Sequence, residues 1–121
     1  MNKNDSIRVR TLGAALALAT LAAAAPASAA IVAATGTITH INTYPEFGGG
    51  DFVFRLSSYV AGCESGFWLA PSQPGFKTTV AFLMQSRAMG ESISVAGNTA
   101  QIWSGSGSNF CKVDWVAVAP Q

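Results

Sequence analysis

The stretch DFVFRLSSYV alternates apolar and polar residues, as a strand with one buried face does. Phe52, Phe54 and Leu56 fall on one side of an extended chain. The charged Asp51 and Arg55 fall on the other side. Because successive side chains of a strand point to opposite faces, this pattern predicts a half-buried β-strand whose phenylalanines belong to the core.

The segment before it predicts another strand with a local irregularity. Residues 31–43, IVAATGTITHINT, are rich in threonine and β-branched residues, which favour strands. Ile38 and Ile41 would fall on opposite faces of a regular strand, so we expect a bulge or bend near Gly36. The YPEFGGG segment, with one proline and three glycines, predicts the turn that joins the two strands.

The remaining strands are predicted toward the C-terminus. A short strand lies around Phe67–Leu69, and ESISVAG and AQIW extend on either side of a turn predicted at Gly97–Asn98. SGSGSN is expected to be a flexible loop. The final segment, FCKVDWVAV, places Cys111, Val113 and Trp115 on one face, so we expect Trp115 to pack in the core beside Cys111.

One segment has the spacing of a helix. In SQPGFKTTVAFLMQSRAMG, apolar residues recur at steps of three and four, which is typical of an amphipathic helix, here of about fifteen residues. Ser72 or Gln73 with Pro74 marks its predicted start, and Gly90 stands where a glycine cap ends a helix. The stripe expected to face the core contains Phe76, Val80 and Leu83.

The predicted order of elements is three strands, one helix and two strands. A helix between the third and fourth strands of a five-stranded antiparallel sheet is the chain order of the OB-fold, a small Greek-key barrel. We therefore predict a mainly β, OB-fold-like five-stranded Greek-key barrel with one helix, formed by residues 30–121 as a single domain. The same order is compatible with other small α+β rolls.

The N-terminal residues predict export. The first ten residues carry three basic side chains and one acidic, the apolar run TLGAALALATLAAAA follows, and Ala27 and Ala29 form an A-x-A arrangement. These features are those of a secretory signal peptide over residues 1–29, and the apolar run is short for a membrane span. A retained helical anchor is the alternative. We expect a secreted or periplasmic protein.

Few charged residues follow residue 29: four are basic and five are acidic, which gives a net charge of −1. No basic patch could neutralise several phosphates, so the composition argues against nucleic-acid binding. No amphipathic basic helix suggests attachment to a membrane surface, and we expect no membrane insertion of the mature chain.

The cysteines predict a covalent crosslink. Cys63 and Cys111 are the only two, and an exported protein meets an oxidising compartment, so we predict a disulfide between them. Zinc sites need more ligands at closer spacings, and calcium loops need more oxygen ligands, so we predict no metal site and no cofactor. Two free thiols are the remaining alternative.

Candidate catalytic residues are few. His40 is the only histidine and lies in a threonine-rich strand, so we interpret it as an exposed strand residue rather than a general base. The serines of SGSGSN do not form the G-x-S-x-G motif, and no pair of carboxylates suggests a glycosidase. We therefore do not expect an enzyme.

Two aromatic residues and one amide are the candidate ligand-binding residues. Trp103 borders the SGSGSN loop and is the best candidate for an exposed ring, Tyr44 opens the glycine-rich turn, and Asn109 ends SGSGSN. An amphipathic ring can stack on the C–H face of a sugar or serve a protein interface. The alternative is that these aromatic residues help to bury a small core.

Three segments together resemble a known group: GTITHI, FWLAPSQPGFKTTVAFLMQSRAMGESISVAG after a cysteine, and WSGSGSNFCKV. They look like small exported bacterial proteins similar to the receptor-binding B subunits of subtilase cytotoxin and typhoid toxin. The resemblance implies an OB-fold, a homo-oligomer of five subunits, an enzymatic A subunit as partner, and a sialylated or other glycan receptor on a host surface. No sugar-binding residue of those subunits is carried over, because none is aligned with a matching position here.

Two functions are therefore expected as alternatives. The first is a secreted, non-catalytic binding protein that resembles a toxin B subunit and recognises host-surface glycans. The second is a monomeric exported envelope protein with a structural or inhibitory role and no glycan binding. Retention on immobilised glycans and the native mass of the oxidised protein distinguish the two.

Overall fold

The computed structural model describes residues 29–121, so residues 1–28 of the predicted signal peptide lie outside the described part of the chain. The fold is mainly β, with a five-stranded sheet and one helix, as predicted. No helix within residues 29–121 is long and apolar enough to cross a bilayer. The elements are β1 (Ile31–Tyr44), β2 (Asp51–Leu56), β3 (Gly66–Leu69), α1 (Phe76–Met89), β4 (Ser92–Ile102) and β5 (Phe110–Val118).

The sheet closes on itself, because β4 pairs with β5 on one side and with β1 on the other. The hydrogen-bonded order is β1-β2-β3-β5-β4, and all neighbouring pairs are antiparallel except β3 and β5, which are parallel. Strand β1 serves both halves of the sheet: residues 31–37 pair with β4, and residues 38–44 pair with β2.

The main core lies inside the closed sheet. Phe52, Phe54 and Leu56, which the sequence places on one face of β2, are all buried there. Ile93 and Val95 of β4 are fully buried against them. Full burial of one such side chain stabilises a fold by about 1.5–3 kcal/mol, so these alternating positions supply much of the driving force for closing the sheet.

Helix α1 packs one narrow face on this core. Leu83 is fully buried, whereas Phe76 and Val80 pack against the core and remain partly exposed. Met84 continues the apolar spacing but is 51% exposed, so it does not belong to the buried stripe. The predicted core stripe of the helix is therefore centred on Leu83.

The two ends of α1 are held differently. Gly90 caps the C-terminus in a left-handed conformation, as predicted. At the N-terminus the cap is Gly75, and no side chain caps the helix. Gln73, predicted as part of a start signal, bonds through its side chain to the backbone of Ala70 and of Val113 in β5. Gln73 thus ties the segment before the helix to the sheet.

A bulge in β1 lets both of its isoleucines face the core. The register with β2 shifts between Ile38 and His40, which makes Thr39 an extra residue. Because one extra residue reverses the faces of the residues that follow, Ile41 packs against the core as Ile38 does. The predicted irregularity is present, but it lies at Thr39 rather than near Gly36.

The turn predicted at Gly97–Asn98 is wrong. Strand β4 continues through both residues, which pair with β1 on one side and with β5 on the other. Glycine is needed here for a close approach, because a Cβ on Gly97 would lie 2.8 Å from the Cβ of Cys111 and 2.9 Å from the ring of Phe67. The glycine admits two core side chains against the strand.

Trp115 lies outside the core, contrary to the prediction. Its side chain is 45% exposed. The register of β5 with β4 shifts between Val113 and Trp115, so Asp114 is an extra residue. This bulge reverses the two faces of the strand, which leaves Cys111 and Val113 buried and turns Trp115 toward solvent.

Candidate binding cleft

Two connections between strands meet on one side of the closed sheet. The hairpin loop, residues 45–50, joins β1 to β2, and the β4–β5 loop, residues 103–109, joins β4 to β5. Phe47 of the hairpin loop meets Trp103 of the β4–β5 loop edge-on, with 5.7 Å between the ring centroids. The two loops, far apart in sequence, therefore form one contiguous structure.

The outer face of β1 and β2 runs alongside these loops. After the bulge in β1, alternate side chains point away from the core and face partners on β2. In order toward the hairpin loop, the pairs are His40 with Arg55, Asn42 with Val53, and Tyr44 with Asp51. This face therefore carries polar and charged groups next to aromatic surface.

Trp103 is buried, so the exposed ring predicted from the sequence is wrong. Only 4% of the residue is exposed, and it packs with Val53 and Phe110 in a second, smaller core outside the closed sheet. The ring of Tyr44 lies 4.8 Å from that of Trp103. The indole N–H donates a hydrogen bond of 2.8 Å to the carboxylate of Asp51. Trp103 thus anchors the β4–β5 loop to the outer face of the sheet.

The β4–β5 loop folds back over this indole. The backbone N–H of Trp103 donates to the carbonyl of Phe110 at 2.9 Å, which closes the base of the loop. A Cβ on Gly105 would lie 2.2 Å from a ring atom of Trp103, so the loop backbone runs directly on the indole face. The backbone N–H of Ser108 donates to the hydroxyl of Ser106 at 3.2 Å. These contacts give the glycine- and serine-rich loop a defined path.

A cleft of about 180 Å³ lies between the β4–β5 loop and the outer face of β1 and β2. Tyr44 and Trp103, two of the three predicted ligand-binding residues, both line it. Asn109, the third, does not. The polar side chains that line the cleft are His40, Asn42, Tyr44, Arg55, Ser106 and Ser108.

The cleft combines hydrogen-bonding groups with aromatic surface. The Arg55 guanidinium lies 5.2 Å from the centroid of the Phe110 ring, a cation–π contact that holds the cation at the cleft. The Asn42 amide donates to the Tyr44 hydroxyl at 3.1 Å. Within residues 29–121, no carboxylate side chain lines the cleft. Such a site can hold a neutral or anionic ligand that is rich in hydroxyl groups.

The sequence interpretation missed most of the polar lining. His40 is exposed on its strand, as predicted, but it belongs to the cleft together with Asn42 and Arg55. Alternation marks His40, Asn42 and Tyr44 as one face of β1, and Arg55 as a polar position of β2. What alternation does not provide is the register between the strands, which decides that these residues meet.

Asn109 serves a different contact. Its side-chain amide donates to one carboxylate oxygen of Glu64 at 3.2 Å, and the backbone N–H of Gly62 donates to the other at 2.9 Å. The hydrogen bond from Gly62, then that from the backbone N–H of Glu64 itself and that from Asn109, lower the pKa of Glu64 below its ordinary value of 4.5. Glu64 thus joins the turn before β3 to the end of the β4–β5 loop.

The predicted disulfide lies next to this contact. Cys63 and Cys111 are bonded, with 5.3 Å between their Cα atoms, and both are fully buried. The bond joins the turn before β3 to the start of β5, as predicted, and so fixes the point where the β4–β5 loop returns to the sheet.

Replacing Glu64 with glutamine should lower Tm at neutral pH by an amount that shrinks in acid. A group whose pKa is lowered in the folded state stabilises the fold fully above its ordinary pKa. That stabilisation is lost as the pH falls through the folded-state value, which for Glu64 lies below 4.5. Thermal unfolding of wild type and Glu64→Gln from pH 7 to pH 3 measures the difference.

The exposed Glu46 of the hairpin loop provides the matched control for this titration. Glu46→Gln removes the same charge away from the turn before β3, and its Tm should follow that of wild type throughout. A Tm difference for Glu64→Gln that stays constant across the range would contradict a role for the carboxylate's charge.

The cleft is the feature from which a function can be argued. In the part of the chain that the structure describes, no group of three or more His, Cys, Asp or Glu side chains could hold a metal ion. Comparisons of the chain with protein-family models, with curated proteins and with solved structures found no match.

Proposed function

We propose that this protein is an exported, non-catalytic binding protein with an OB-fold that holds a saccharide in the cleft. The strand order, the parallel pairing of β3 with β5 and the helix between β3 and β4 support the OB-fold. OB-folds bind oligonucleotides and oligosaccharides through the loops that join strands one to two and four to five. The cleft lies beside the corresponding loops.

The chemistry of the cleft favours a saccharide. A sugar presents hydroxyl groups to the polar side chains and C–H faces to an aromatic ring such as that of Tyr44. Arg55 is the only lysine or arginine among the lining residues, whereas a nucleic-acid strand is held by several. The observation that carries the proposal is that six polar residues line the cleft together with aromatic residues.

Arg55 extends the proposal to acidic sugars. A guanidinium binds a carboxylate through two parallel hydrogen bonds. Among residues 29–121, no carboxylate side chain lines the cleft and competes for Arg55. A sialylated glycan on a host surface, which the toxin B-subunit resemblance implies, fits this arrangement. A ring of five subunits and an enzymatic A subunit belong to the same proposal.

Export is supported by two independent features. The N-terminal residues have the order of parts of a signal peptide, and the disulfide between Cys63 and Cys111 is compatible with an oxidising compartment. Detection of the protein, cleaved near Ala30, in the periplasm or culture medium tests this part. Retention of the full-length chain in the cytoplasm would contradict it.

Binding of the oxidised protein to an array of immobilised neutral and sialylated oligosaccharides tests the function. We expect retention by the wild type and a loss of affinity of about tenfold or more in Arg55→Gln, because a hydrogen bond to a charged group contributes about 1.5–3 kcal/mol. Arg87→Gln, an exposed arginine of α1 outside the cleft, is the matched control and should bind as wild type does.

The possible outcomes separate the two expected functions. If Arg55→Gln and Arg87→Gln reduced retention equally, the binding site would lie outside the cleft. A wild type that binds no oligosaccharide and has the native mass of one subunit would favour the monomeric envelope protein instead.

A further inference from the structure

Asp51 is the only charged residue that is buried within residues 29–121. Its exposed fraction is 3%, and its carboxylate accepts the hydrogen bond from the Trp103 indole. Burying a carboxylate is costly unless it is paired, so a chain that needed only a packed hairpin would place an apolar side chain here. The role of Asp51 therefore follows from the groups that its backbone and its carboxylate contact.

Asp51 joins the hairpin loop to the β4–β5 loop, which lines the cleft. It is the first residue of β2, and its backbone N–H donates to the carbonyl of Phe47 in the hairpin loop at 3.1 Å. The carboxylate fills the space beside Gly48, where a Cβ would overlap it. Through Trp103, 52 residues away in sequence, the same carboxylate reaches the β4–β5 loop.

The orientation of Trp103 sets the shape of the cleft. One face of its indole supports the backbone of Gly105, and the ring packs against Tyr44 and Phe110. All four residues line the cleft, whereas Asp51 does not. A rotation of the indole would therefore move the loop wall and two further aromatic walls together.

We infer that Asp51 is a positioning residue: by accepting the Trp103 indole N–H, it fixes the shape of the cleft and thereby ligand affinity, without touching the ligand. The effect on affinity rests on the proposed saccharide function. The effect of Asp51 on the shape of the cleft does not rest on that function, because it is present in the free protein. The first residue of β2 thus influences the shape of a cleft that its own side chain does not line.

Three variants of the full oxidised protein test the inference. Asp51→Leu removes the acceptor at similar size, Asp51→Asn keeps an acceptor oxygen, and Trp103→Phe keeps a ring but removes the donor. Asp114→Leu changes an exposed aspartate of β5 and is the matched control. All measurements are made where circular dichroism shows the variant to be fully folded.

The first measurement is the ¹H–¹⁵N spectrum of the free protein, in which Trp68, Trp103 and Trp115 each give one indole resonance. In Asp51→Leu we expect the Trp103 indole resonance and the amide resonances of Gly105 and Ser106 to shift. Asp51→Asn should restore the amide positions toward wild type, and Asp114→Leu should leave them in place. Amide resonances of the β4–β5 loop that are unchanged in folded Asp51→Leu would overturn the inference.

The second measurement is affinity for a sialylated trisaccharide. We expect a loss of about tenfold in Asp51→Leu and a smaller loss in Asp51→Asn. In the Trp103→Phe background, Asp51→Leu should add less than about twofold, because the donor is already gone. Equal affinities of wild type and Asp51→Leu would overturn the inference that Asp51 influences ligand affinity. A wild type that does not bind, with the loop resonances shifted as expected, would count against the saccharide function alone.

Discussion

Replacing both cysteines with alanine should lower the free energy of unfolding by about 4 kcal/mol. The disulfide closes a loop between residues 48 apart in sequence, and the entropy that a crosslink removes from the unfolded chain grows with the length of the loop. Cys63 and Cys111 are also fully buried, so alanine leaves small cavities in the core and adds to the loss.

Urea unfolding of the oxidised wild type and of the Cys63→Ala/Cys111→Ala variant measures this difference. The wild type with reductant is the control, because it lacks the bond and keeps both sulfur atoms in place. Its stability should fall nearly as far as that of the variant. A loss of less than about 1 kcal/mol in both proteins would show that the crosslink does not restrict the unfolded chain as its length predicts.

The loss of stability that follows removal of the disulfide should be greatest in β3. This strand has four residues, and its parallel pairing with β5 places Phe67 opposite Cys111. A strand of four residues that pairs in parallel with a strand far away in sequence gains little local stability, so the adjacent crosslink holds the two together. Amide hydrogen exchange in the double variant should accelerate more in β3 than in β1, which has fourteen residues and does not pair with β5.

The elements of this fold could be predicted because their apolar spacing is regular. The face of β2 formed by Phe52, Phe54 and Leu56 is buried as alternation requires. The helix ends at Gly90 because a glycine adopts the left-handed cap without strain. Local chemistry decides these features, so sequence alone is sufficient for them.

The structure predicted from the sequence is wrong at two positions in the paired strands β4 and β5. One extra residue at Asp114 turns over the faces of β5, which leaves Trp115 exposed although it follows Val113 by two positions. At Gly97, a glycine next to an asparagine has the composition of a turn, yet it is there to admit Cys111 and Phe67. Both outcomes depend on the neighbouring strand, which a single segment of sequence does not specify.

The candidate site was predicted in part for the same reason. Tyr44 and Trp103 were identified from their places beside glycine-rich loops, and both line the cleft. Trp103 is buried by packing with Val53 and Phe110, and it donates a hydrogen bond to Asp51 across 52 residues of sequence. His40, Asn42 and Arg55 come together only through the register of β1 with β2. Contacts between distant segments thus form the site, and local sequence patterns identify only some of its residues.

Replacing Trp103 with alanine should lower the free energy of unfolding by about 3–5 kcal/mol, whereas Trp115→Ala should lower it by about 1 kcal/mol or less. The sequence interpretation expects the opposite order. Trp103 is 4% exposed and Trp115 is 45% exposed, so the first loses far more packed surface on truncation. Trp103→Ala also leaves the buried carboxylate of Asp51 without its donor, which adds the cost of an unpaired buried group.

Urea unfolding of the two variants, followed by far-ultraviolet circular dichroism, tests this order on residues of the same type. Trp103→Phe separates the two parts of the effect, because it keeps an aromatic ring against Tyr44 and Phe110 but removes the indole N–H. We expect its stability to lie between those of wild type and Trp103→Ala. If Trp103→Ala and Trp115→Ala were equally stable, the β4–β5 loop would not be packed on the outer face of the sheet, and the wall that it gives the cleft would be absent in solution.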